Sequence, residues 1–133
     1  MSYQYQTLTI TSTSTAFVNS ERMEIPQGYA VVIIPKITVA VAAKTLDYKL
    51  QGSIDGIDFV DHCVLVPATI ASNESLVAAG ADIRRVDAGT TGVRATSGRE
   101  FLNNYKFFRI AQRSSDSSTL TAEYQIFSNA NLR

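Results

Sequence analysis

The chain is poor in the residues that build most recognisable sites. It has a single cysteine, Cys63, so no intrachain disulfide can form. Bridges are common in secreted modules of this size, so a reducing place of synthesis is expected. It has one histidine, His62, and no tryptophan. A zinc site needs several His or Cys ligands, and the chain cannot supply them. Charged residues make up only 18% of the sequence, below the usual quarter or so. Twelve basic residues balance twelve acidic ones. A nucleic-acid binder relies on a basic excess to neutralise phosphates, and none exists here. No run of like charge marks a tail or a lipid-facing patch. The longest apolar stretch, 29–43, is interrupted by Pro35 and Lys36 and is too short to span a bilayer as a helix. The first residues, Met1 to Gln6, lack the basic and apolar regions of a signal peptide, so none is expected.

What is present is period-two alternation. Leu46, Tyr48 and Leu50 share one parity, and Asp47, Lys49 and Gln51 the other. That is the pattern of a half-buried strand. Ser53-Ile54-Asp55-Gly56 follows, and Asp-Gly tolerates the positive φ that hairpins require. A central hairpin is therefore predicted, its second strand running from Phe59 to Val66 and stopping at Pro67. Tyr29 to Ile34 reads as a strand buried on both faces, which Pro35 either ends or bulges. Ile37, Val39 and Val41 alternate beyond it. Tyr105 to Arg113 and Leu120 to Phe127 alternate on either side of the polar turn Ser114–Ser118, and they predict a second hairpin. Leu50, Phe108, Ile110, Leu120, Tyr124 and Ile126 fall on apolar parities and are the predicted core.

The 133 residues match one domain in size, long enough to bury a single core. About eight to ten short strands, without a convincing long helix, predict an all-β, antiparallel β-sandwich of jelly-roll-like type. Residues 1–15 read as a polar arm or strand, rich in Thr, and deleting residues 1–10 is expected to leave the domain folded while weakening assembly. Residues 67–100 read as a loop-rich insertion, in which 72–79 is either a short helix or a short strand and 83–86 a further strand. Long structured loops in a compact domain commonly serve interactions.

Candidate chemistry is sparse. Asp61-His62-Cys63 invites a nucleophile–base reading, but neighbours on a strand point to opposite faces. Asp55, Asp58 and Asp61 supply oxygen ligands without the spacing of a calcium loop. No catalytic, cofactor-binding or metal site is expected. The candidate contact residues are Tyr3, Tyr5, Arg84, Arg85, Arg94 and Arg99. The two tyrosines share a strand face and serve either as edge-strand core or as an aromatic patch. The arginines are either solvated charges balanced by Asp82, Asp87 and Glu100, or interface anchors of the kind enriched at protein contacts.

Leu50-Gln51-Gly52-Ser53-Ile54-Asp55-Gly56-Ile57-Asp58-Phe59 resembles a hairpin of head and tail β modules in tailed-bacteriophage virions. Phe107-Phe108-Arg109-Ile110, the Ser-rich turn and Leu120 to Phe127 resemble the paired terminal strands of those modules. The resemblance implies a non-enzymatic virion protein, made in the host cytoplasm without a signal peptide. It implies in particular a capsid cement (decoration) protein that docks on the major capsid protein or another virion protein and self-associates. Neither nucleic acid nor membrane is an expected partner. A carbohydrate-binding module and a tail or baseplate module are the alternatives.

Overall fold

The computed structural model describes residues 3–24, 29–62, 74–76, 83–92, 99–101 and 105–130. No helix occurs among them; they form eleven strands. The first is β1 (Tyr3–Ser12), followed by the short β2 (Val18–Asn19) and β3 (Met23–Glu24). Next come β4 (Tyr29–Val39), β5 (Thr45–Ser53), β6 (Val60–His62), β7 (Glu74–Leu76) and β8 (Ile83–Asp87). The last three are β9 (Arg99–Phe101), β10 (Phe107–Ser114) and β11 (Leu120–Ala130).

These strands build two antiparallel sheets. The first has the order β1-β11-β4-β9, and the second β2-β10-β5-β8-β7, with β3 continuing β2 along β10 and β6 lying along β5. With β2 and β3 taken as one position, and β6 and β7 as additions, eight positions remain. Their orders are 1-8-3-6 and 2-7-4-5, the topology of a jelly roll. The expected jelly-roll-like sandwich is what the chain forms.

Alternation explains why two layers result. On β5, Leu46, Tyr48 and Leu50 point inward; on β10, Phe108 and Ile110; on β11, Leu120, Ala122, Tyr124 and Ile126. Together with Ile10, Val31, Ile33, Ile37 and Val86 they make one core shared by both sheets. All six residues predicted for the core lie in it. Tyr48 meets Tyr124 edge-on across the sheets, with centroids 5.6 Å apart. The Tyr124 hydroxyl donates to Gln112 Oε1 at 2.8 Å, and Gln112 Nε2 reaches Ser12 Oγ at 2.9 Å. Burial, with Tyr48 beside it, pushes the Tyr124 hydroxyl well above its ordinary pKa, so it remains a donor. Ser12 and Ser114 hydroxyls join at 2.9 Å, so this interior polar cluster is satisfied from both sheets.

Several local expectations are corrected. The second hairpin does not exist: β10 belongs to one sheet and β11 to the other. Each is already flanked, β10 by β5 and β2–β3, β11 by β1 and β4, so neither has an edge to offer the other. Their connection is an arch between layers. The paired terminal strands are instead β1 and β11, in register from Tyr3↔Asn129 to Ser12↔Leu120. Of the arm and strand readings of residues 1–15 the strand is the one that forms, as β1, and because β1 buries Ile10 and Ser12, residues 1–10 are not the dispensable segment that was expected. Pro35 neither ends nor bulges β4, which continues through it; among the described residues β9 pairs only Ala30–Val32, leaving one side of β4 without a ladder at Pro35. The irregularity falls later. Ala122 pairs Ile37 and Thr121 pairs Val39, so Thr38 is an extra residue that turns Val39 outward. Segment 67–100 holds β7, β8 and the start of β9, with 74–76 a strand. Beyond His62 the predicted strand lies outside the described residues.

Candidate interaction site

The central hairpin forms, pairing Leu50, Gln51 and Gly52 with His62, Asp61 and Val60. Its six-residue loop is fixed by its own side chains. Asp55 Oδ1 accepts from the backbone N–H of Ile57 at 2.8 Å and of Asp58 at 2.9 Å. Ser53 Oγ accepts from Gly56 N–H at 2.9 Å. The N–H groups of Ile57 and Asp58 and then the Ser53 hydroxyl, which donates to Asp55 Oδ1 at 3.0 Å, hold the Asp55 carboxyl below its ordinary range. Gly56 has φ of 79°, and a Cβ there would also collide with the Arg22 guanidinium, which donates to Gly56 O at 2.9 Å. A Cβ on Gly52 would fall on the Tyr105 ring.

This fixed loop and the first residue of β6 carry apolar side chains into solvent. Ile54 is 71% exposed, Ile57 78% and Val60 56%. Beside them Gly52, Ile54, Val60 and Tyr105 line a shallow, largely apolar cleft of about 270 Å³. Scattered exposed apolar residues are ordinary, but three within seven positions, two of them lining an apolar cleft, make this the candidate contact surface. Because the turn is held by hydrogen bonds, little ordering entropy remains to be lost on docking.

Next to the loop, the outer face of the second sheet is a polar and aromatic layer set by cross-strand register. Asp47 lies between Arg85 on β8 and Arg113 on β10 and is 1% exposed. Arg85 Nε and Nη2 reach its two oxygens at 2.8 and 3.2 Å, and Arg113 Nε donates at 2.9 Å. That carboxylate raises the Arg85 pKa further. Gln51 lies between Asp61 and Arg109, donating to the first and accepting from the second, both at 2.8 Å. Arg109 lies over Phe59 at 4.1 Å, and Phe17 receives both Lys49 and Arg113, at 4.3 and 4.7 Å. The cations here are engaged within the chain.

The contact residues expected from sequence do not gather. Arg84 shares the inward parity of Val86 and is 3% exposed, so it presents no guanidinium to a partner. Arg85 is clamped on Asp47. Tyr3 and Tyr5 lie on β1 and Arg99 on β9, at opposite edges of the first sheet, and Arg94 is outside the described residues. The residues sequence reasoning missed are Ile54, Ile57 and Val60. The readable signal was two isoleucines inside a turn of Ser, Asp and Gly, where a solvated loop has no use for them.

The catalytic and metal candidates separate as well. Asp61 faces Lys49 and Gln51, while His62 meets the Tyr105 ring edge-on at 5.7 Å. Cys63 lies outside the described residues. Among the described residues no three His, Cys, Asp or Glu side chains gather as a metal-binding group. Neither a protein-family profile nor a curated protein matches the chain.

Proposed function

We propose that this chain is a non-catalytic structural module of a tailed-bacteriophage virion, a capsid cement (decoration) protein that docks on the major capsid protein through its β5–β6 loop. The observation that carries the docking reading is the apolar trio Ile54, Ile57 and Val60, held outward by the Asp55 and Ser53 hydrogen bonds. The virion assignment rests on the resemblance of Gln51-Gly52-Ser53-Ile54-Asp55-Gly56-Ile57-Asp58-Phe59 to hairpins of such proteins, and synthesis in the host cytoplasm goes with it. A cement protein meets its shell at many equivalent places, so a small apolar anchor of modest affinity suffices. The glycan-binding reading has less support. Among the described residues, Phe17, Phe59 and Phe107 at the sheet face each lie under a cation instead of lying open as a stacking platform.

The test is binding of the purified protein to phage shells that lack it, alongside a glycan array. Saturable binding to shells, lost when Ile54 and Ile57 are both replaced by serine, is the expected result. Glycan binding without shell binding would replace this reading with the carbohydrate module.

A further inference from the structure

Sheet edges differ sharply in how they are protected. An open edge offers unpaired N–H and C=O groups, and monomeric proteins blunt it with short strands, charges, proline or bulges. The edges formed by β2, β3, β6, β7 and β9 are two or three residues long. Most also carry charge: Glu24, Asp61, Glu74, and Arg99 with Glu100. The other edge strand of the first sheet, β1, is ten residues long and reads Tyr3-Gln4-Tyr5-Gln6-Thr7-Leu8-Thr9-Ile10-Thr11-Ser12. It has no charge, no proline and no bulge; its register with β11 is unbroken. One side of β1 pairs with β11, and among the described residues nothing pairs with the other.

That open side borders a groove of about 700 Å³ between β1 and the β2–β3 segment. Leu8, Val18 and Met23 supply its apolar side chains and Glu21, Arg22 and Glu24 its charged ones, and Val18 is 41% exposed.

We infer that β1 is a self-pairing edge, and that a second copy of this chain docks there by antiparallel β1–β1 pairing about a two-fold axis. The two four-stranded sheets then form one continuous sheet of eight strands. The uncharged sequence selects the occupant. In a two-fold pairing each β1 position meets another β1 position, so any charge on the strand would oppose its own kind nearby. Thr7, Thr9 and Thr11 are exposed and instead make a β-branched ladder across the seam. The chain's zero net charge adds no long-range repulsion between copies. The inference is independent of the capsid reading.

Sedimentation velocity of the full chain over a concentration series tests it. A monomer–dimer equilibrium is expected, and the double variant Thr7→Lys with Thr9→Lys is expected to remain monomeric, with the melting temperature of the parent at concentrations where the parent is dissociated. Hydrogen exchange on the unmodified chain decides the point even if that variant misfolds: amides in 3–12 should slow as concentration rises. A single monomer mass throughout overturns the inference. So does a dimer that survives the lysines, or one whose 3–12 amides exchange no more slowly.

Discussion

Two stretches of this chain have the same local grammar, yet they fold differently. Thr45–His62 and Phe107–Ala130 each consist of an alternating strand, a polar turn and a further strand. The first closes as a hairpin, with β6 beside β5. The second opens as an arch, sending β10 into one sheet and β11 into the other. A hairpin and an arch both need period-two strands and a turn. What separates them is which edges are free, and that depends on residues far away. The distal half of β5, Leu50–Gly52, lies beyond the reach of β8, so β6 can pair there. β10 and β11 have no free side.

The energetic consequence is a division of labour. The arch strands hold the core and the hairpin tip holds apolar groups in water. Phe108→Ala should therefore cost roughly 3–5 kcal/mol in urea unfolding, since the ring is fully buried. Ile54→Ala in the hairpin loop should stay within about 0.5 kcal/mol of the parent. Equal losses at the two positions would erase the contrast.

A smaller effect sharpens what stitches the arch to the opposite sheet. Tyr124→Phe keeps the ring but leaves Gln112 Oε1 without its donor, at an expected cost of about 1–3 kcal/mol. If the variant unfolds with its parent, the interior cluster of Gln112, Ser12 and Ser114 contributes little to holding the layers together.

The smallest effects concern the two turns, each built around an aspartate. In the arch, Lys44 reaches Asp116 at 2.7 Å. That contact first, then Ser118, lowers the Asp116 pKa to about 2 from an ordinary 3.8. A folded-state pKa below the unfolded one means stability that is complete above 3.8 and lost as pH falls towards about 2. Asp55 in the hairpin turn is also lowered, but by the N–H groups of Ile57 and Asp58 and the Ser53 hydroxyl, with no cation among them. Carboxyl NMR titration of Lys44→Met should move Asp116 up towards 3.8 and leave Asp55 where it was. An unmoved Asp116 would show that the turn's hydrogen bonds, and not the lysine, set its pKa.

Much of the fold was legible because burial in a sandwich follows parity. Tyr124 and Ile126 had to share a face whatever sheet received them, and the same holds for Leu46, Tyr48 and Leu50. The turn chemistry of Ser53, Asp55 and Gly56 was equally local. The β10–β11 pairing was misread because alternation names a face and not a neighbour. Arg84 was misread for a related reason: an arginine on a strand is expected outside, but its parity with Val86 on β8 carries it inward. The Thr38 bulge left no mark in the alternation of Ile37, Val39 and Val41.

By itself, then, the amino-acid order determined that the chain would form strands, which face of most of them would be apolar, and where the central turn would close. Those outcomes follow from interactions within a few residues and from the two-residue period of the backbone. Only the tertiary structure decided which strands became neighbours. It set Asp47 between two arginines, made the long uncharged β1 an edge, and left Ile54 and Val60 uncovered beside Tyr105. Each of these joins positions tens of residues apart, so each depends on how two sheets compete for the same strands as they enclose one core.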